Sequence, residues 1–196
     1  MAQEMIHQFD HRYNKGNLAI KLNMSKAYNR LTGTSFSGEA SGIFKSTQGL
    51  RQGDPISPAL FIIVAEAFSR GIDLVFNENP KMYYQISCEV KISHLSYVDD
   101  VILFINCEDA SLNKLLQFWK NIEELSRQKI NHAKSAFILG KKANLNAQRI
   151  KIIIGFSMKM LPTTYFSAPL YKGSKRKILY ESLVEKVRAK NYGWEH

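Results

Sequence analysis

The chain has 196 residues, room for one domain or one lobe of a larger one, and its 45% hydrophobic content is that of a globular protein able to build a core. Lys and Arg outnumber Asp and Glu by 27 to 17, giving a net charge of +10 and a pI of about 9.6. That balance suits a polyanionic partner, nucleic acid above all, or simply a basic soluble surface; charge alone does not separate the two. Cys88 and Cys107 make no disulfide framework and no metal-ligand spacing. The N-terminal "MAQEMIHQFDHRYNKGN" lacks the apolar core of a signal peptide, and "ALFIIVAEAF" is too short to span a bilayer and contains Glu66. The expectation is a soluble chain of a reducing intracellular compartment, nuclear or cytoplasmic, with no membrane partner.

In chain order, residues 2–13 predict a short amphipathic helix, with Met5, Ile6 and Phe9 at helical spacing, and "NKGN" breaks it. "LAIKLNM" (18–24) alternates Leu18, Ile20 and Leu22 with Ala19, Lys21 and Asn23, a strand pattern. "SKAYNRL" starts like a helix but runs at once into the small, polar "TGTSFSGEASG". "IFKSTQGLRQGDP" reads as a short strand entering a glycine loop. Ser57 as N-cap and Pro58 at the first helical position open a helix over 58–76. Strands follow around Val90 and Ile92, then the hairpin "HLSYVDDVILF" with its turn at Asp99 and Asp100. Residues 111–128 form an amphipathic helix, with Leu112, Leu115, Leu116, Trp119, Ile122 and Leu125 on one face. "SAFILG" is a strand, 145–154 a short basic helix, "TTYFSAPLY" a strand pair or turn, and 175–190 a basic amphipathic helix. The mixture of hairpins and helices predicts an α+β fold.

The adjacent carboxylates of Asp99 and Asp100 lie between apolar runs, and desolvating them is costly unless something positive is present. Oxygen donors at a hairpin tip suit a hard cation such as Mg²⁺. Paired Mg²⁺ ions catalyse nucleotidyl transfer by holding the attacking and leaving oxygens, but such a site needs a further carboxylate from a second element. Judged alone, "VDD" is a polar turn more often than an active site.

Three motifs taken in order change that weighting: "KLNMSKAYNR", "QGLRQGDPISPALF" and "YVDD". Together they resemble the palm of a reverse transcriptase, specifically that of plant non-LTR (LINE-type) retrotransposons. The resemblance extends to "NHAKSAFILG", similar to the family's lysine-bearing strand, and to "TYFSAPLY", similar to its primer grip. It implies a palm-type antiparallel sheet with helices on one face, an RNA template and DNA primer as partners, and Mg²⁺ as cofactor. By the same resemblance Asp99 and Asp100 are metal ligands. Gln52 and Gly53 line the nucleotide pocket, Tyr28 sits under the sugar, and Lys134 lies near the triphosphate. Tyr165, Phe166 and Ser167 make up the primer-grip-like segment. The plainer readings are core packing for Tyr28, a loop residue for Gln52 and a solvated charge for Lys134.

The pattern is broken in several places. Asn23 stands where the family has the aspartate of the second element, and Asn29 replaces its next acidic position. "NRLTGTSFSGEASGIFKSTQGL" joins the first motif to the glycine loop almost directly, where the family has a longer helical segment. Ser167 replaces the primer-grip glycine. The expected organisation is therefore a partial palm over 1–170 with an internal deletion near 31–45, then a basic helical tail over 171–196, the start of a thumb or connection region. Fingers are expected to be absent. The lost helix is expected to expose apolar sheet surface. The expected function is that of a degenerate transposable-element remnant with weakened Mg²⁺ binding and no catalysis. The alternatives are a non-catalytic nucleic-acid-binding remnant, or a polymerase active only when another chain complements it.

Overall fold

The computed structural model describes residues 1–9, 16–25, 57–84, 91–97, 100–126, 129–165, 168–174 and 177–192. Its centre is the strand β1 (Asn17–Ser25), whose continuous apolar run Leu18, Ala19 and Ile20 is buried on both faces, while Lys21 and Asn23 make one face polar further along. On one side β1 pairs antiparallel with β3 (Asp100–Asn106), from Asn17 opposite Asn106 to Asn23 opposite Asp100. The hairpin partner β2 (His94–Tyr97) lies outside β3, its pairing closed by Tyr97 opposite Asp100. On the other side β1 pairs antiparallel with β4 (Lys129–Ile130) and β5 (Ala136–Leu139). The short β6 (Ser157–Met158) adds to β5 in parallel. The fold is α+β with a mainly antiparallel sheet; β6 is the exception.

One sheet face carries Leu18, Ile20 and Leu22 of β1 with Val101, Leu103 and Ile105 of β3. Three helices cover it: α2 (Ser57–Glu78) through Phe68, Ile72 and Phe76, α3 (Asp109–Ser126) through Leu112, Leu115 and Trp119, and α4 (Ala147–Ile154) through Ile150 and Ile154. Burying each such side chain contributes about 1.5–3 kcal/mol. The opposite face carries Ala19, Ile102, Phe104 and Ile138, and it is covered by α1 (Ala2–His7) with Phe9, by Tyr84, and by the hairpin of β7 (Thr163–Tyr165) and β8 (Ala168–Leu170). Helices thus lie on both faces rather than one, because Met5 and Ile6 of α1 have their own apolar surface to bury.

The expected exposure of apolar sheet surface is not found on β1 and β3, whose apolar side chains are buried on both faces. Exposed apolar side chains lie on helix surfaces, as Ile62, Ile63 and Leu74 of α2 do, and on the outer strands, as Tyr97 of β2 and Met158 of β6 do. The strand expected at Ile92 is not formed, and Val90 lies outside the described residues. α1 ends at His7 rather than at residue 13, although Phe9 still packs into the core. The helix expected over 175–190 is α5 (Glu181–Tyr192), preceded by a 3-10 turn at Lys177–Leu179.

Two features hold the central strands in place. Gly16 enters β1 at φ 80°, and a Cβ there would stand 2.8 Å from Ala143 Cβ and 3.0 Å from Ala143 N. Glycine therefore lets the 3-10 turn Lys141–Asn146 close against the start of β1. On the other side, polar contacts tie β2 to α2. The His94 ring is hydrogen-bonded through Nε2 to Ser69 Oγ and through Nδ1 to Ser93 Oγ at 2.8 Å, and Ser93 Oγ donates to Asp73 at 2.6 Å. Burial pushes the His94 pKa below its ordinary value, with the nearby Asp73 carboxylate acting in the opposite direction.

Candidate functional site

Strand alternation decides which side chains meet at the tip of the β2–β3 hairpin. Leu18, Ile20, Leu22 and Met24 face the helices, so Ala19, Lys21 and Asn23 face the other way. On β3, Ile102 and Phe104 share that second face, and Asp100 continues their alternation. Along this face the sheet turns from apolar to polar, from Ala19 beside Phe104 to Asn23 beside Asp100.

Asn23 Nδ2 donates to Asp100 Oδ1 at 3.3 Å. The other carboxylate oxygen, Oδ2, lies 3.5 Å from Lys21 Nζ, and the two side chains are 21% and 25% exposed. The Lys21 ammonium also reaches the Thr164 carbonyl of β7 at 3.4 Å. Next to Thr164, Tyr165 is buried and its hydroxyl donates to the Leu95 carbonyl at 3.0 Å. Burial first, and then the Asp100 charge, push the Tyr165 phenol up to about 12, so it is a neutral donor at ordinary pH.

The opposite edge of β1 is interrupted at the same level. β1 pairs with β4 up to Met24–Ile130 and with β5 from Lys21–Ala136, so the five residues 131–135 stand opposite Leu22 and Asn23. The resulting turn is anchored on the Asn23 backbone. Asn131 N–H donates to the Asn23 carbonyl at 2.9 Å, and Asn23 N–H donates to the buried Ser135 Oγ at 3.1 Å. Lys134 lies on this turn, its N–H donating to the Asn131 carbonyl at 3.1 Å, and its side chain is exposed.

Of the residues singled out from the sequence, the structure brings Asn23, Asp100 and Tyr165 together, and links Lys134 to Asn23 through the backbone of a shared turn. Asp99, Tyr28, Gln52, Gly53, Phe166 and Ser167 lie outside the described residues. Sequence reasoning missed Lys21 as a member of the site. Its signal was present in the two-residue step from Lys21 to Asn23, which puts both on one strand face.

A family model described as reverse transcriptase (RNA-dependent DNA polymerase) matches residues 5–179, and the chain belongs to that family. Its members in general use Mg²⁺ and bind nucleic acid. The described donors do not fit a two-ion site. Asp100 offers one carboxylate and Asn23 an uncharged amide whose nitrogen faces it, while Lys21 sets a positive charge beside the same carboxylate. Among the described residues, no three His, Cys, Asp or Glu side chains gather where they could hold a metal ion. Among them, too, no helix is long and apolar enough to cross a membrane.

Proposed function

We propose that this chain is a palm segment of the reverse transcriptase of a plant non-LTR, LINE-type retrotransposon, shortened internally near residues 31–45, and that it does not copy RNA into DNA on its own. The observation that carries this reading is the hydrogen bond from Asn23 to Asp100. Where two-metal nucleotidyl transfer calls for carboxylates from two strands, this chain pairs an amide with a carboxylate that Lys21 already neutralises. Catalysis requires ligands placed to fractions of an ångström, so loss of one costs orders of magnitude in rate. In this reading Asp99, Tyr28, Gln52, Gly53 and Lys134 are survivors of the ancestral site, and Tyr165, Phe166 and Ser167 a decayed primer grip.

Primer extension on an RNA template with Mg²⁺ or Mn²⁺ tests it, comparing the unmodified chain, Asn23→Asp, and a control with Asp99→Asn and Asp100→Asn. The expected result is no templated extension by the unmodified chain and little by Asn23→Asp. Extension by the unmodified chain that the control abolishes refutes the reading. Extension arising only on addition of a second chain makes the protein one part of a divided polymerase.

A second reading, nucleic-acid binding without catalysis, is favoured by the exposed Lys172, Lys177, Lys186 and Arg188 of the C-terminal segment. Such binding is sequence-independent, and the logarithm of its affinity falls with the logarithm of salt by roughly 0.7–0.9 per phosphate neutralised. Binding unchanged between low and high salt rules this reading out.

A further inference from the structure

We propose that Lys21 is a resident cation for the hairpin-tip carboxylate: its ammonium takes the electrostatic place of a divalent metal at Asp100, so an ion reaches that carboxylate only by displacing it. The inference rests on reading Asp100 as the surviving carboxylate of a polymerase site. Both carboxylate oxygens are engaged within the fold, Oδ1 by the Asn23 amide at 3.3 Å and Oδ2 by the Lys21 ammonium at 3.5 Å. The ammonium is held from a third side by the Thr164 carbonyl at 3.4 Å. Lys21 therefore joins three elements, β1 that carries it, β3 that carries Asp100, and the β7–β8 hairpin that closes this end of the sheet. Lys21 leaves β1 on the face it shares with Asn23, and both it and Asp100 are about three-quarters buried.

The charge balance supports the same reading. With a carboxylate in place of the Asn23 amide, the two β-strands would set two negative charges together, and one ammonium could not balance both. With Asn23 the described cluster holds one carboxylate and one ammonium, which are neutral together. Loss of the carboxylate on β1 thus leaves Asp100 with a counterion of its own in Lys21. Lys21 is in this sense a positioning residue that fixes Asp100 and docks the β7–β8 hairpin, whether or not metal is present.

Mn²⁺ binding to the full chain, read by the electron paramagnetic resonance signal of the free ion, tests the proposal without template, primer or nucleotide. Its outcome is thus separate from that of primer extension. Lys21→Met is expected to bind Mn²⁺ at least about tenfold more tightly than the unmodified chain, the lower end of what one nearby charge does to a carboxylate's affinity for a cation. Lys21→Arg, which keeps the charge, is expected to bind as weakly as the unmodified chain. The gain should vanish in the double variant Lys21→Met with Asp100→Asn. Unchanged affinity in Lys21→Met overturns the proposal, and so does a gain that persists in the double variant. A second measurement does not depend on Lys21→Met folding. Millimolar Mn²⁺ is expected to leave the melting temperature of the unmodified chain unchanged, while Asp100→Asn lowers it with or without the ion. A rise with Mn²⁺ that Asp100→Asn abolishes shows the ion already binding past Lys21, and the proposal fails.

Discussion

Replacing Asn23 by aspartate sets two carboxylates against each other across the β1–β3 pair. The amide nitrogen that now donates to Asp100 Oδ1 at 3.3 Å becomes an oxygen in nearly the same place. Two unit charges at that separation repel by roughly 1 kcal/mol in water and roughly 5 kcal/mol at the effective dielectric of a partly buried site. The lost hydrogen bond adds about 1 kcal/mol. Lys21, 3.5 Å from the far oxygen of Asp100, offsets part of the repulsion, and solvent screens part of it, since a quarter of the Asp100 side chain is exposed. The expected net loss in chelator is about 1–3 kcal/mol, which lowers the melting temperature of a chain of this size by roughly 2–12 °C. Thermal unfolding followed by far-ultraviolet circular dichroism measures it. Millimolar Mg²⁺ should restore part of the loss in the variant and none in the unmodified chain, because only the variant faces Asp100 with a carboxylate across the β1–β3 pair. A variant that melts with the unmodified chain in chelator refutes the pairing of Asn23 with Asp100, and the electrostatic argument falls with it.

Three further outcomes follow from the fold. Stability should fall as pH drops below about 6.5, because the unfolded His94 ring takes up a proton there while the buried folded ring resists it. The limiting slope is about 1.4 kcal/mol per pH unit, and urea unfolding of His94→Gln across this range should lose it. Gly16→Ala should destabilise by about 1–3 kcal/mol in the same assay, since it combines φ 80° with a Cβ 3.0 Å from the Ala143 backbone nitrogen; an unchanged midpoint refutes the close approach. Tyr165→Phe should cost about 1 kcal/mol by leaving the buried end of the Leu95 hydrogen bond unmade. In the unmodified protein, ultraviolet titration should show phenol ionisation near 12, and its amplitude there should fall in Tyr165→Phe.

The local elements were legible in the sequence because their signals are local. The apolar run from Pro58 and the face of Leu112, Leu115 and Trp119 announced α2 and α3, and alternation in "LAIKLNM" announced β1, each to within a few residues. The hairpin near the aspartates was legible from the apolar residues on either side of them, although Asp100 lies in β3, paired with Tyr97, rather than in the turn. Motif order carried the family, which the match over residues 5–179 shows. Chain-local patterns did not reveal β4 and β6, which are two residues each and exist only because β1 and β5 offer them an edge. Nor did they show that α1 and the β7–β8 hairpin would cover the second sheet face, since an amphipathic helix carries no label for the surface it will bury. At the candidate site the division is sharper. The sequence shows that Asn23 has no charge and that Lys21 shares its strand face. Only tertiary structure decides that Lys21 lies within 3.5 Å of a carboxylate 79 positions away (100 − 21) and reaches the Thr164 carbonyl beyond it. Electrostatic pairing depends on distance in space, and the register of β1 against β3 sets that distance.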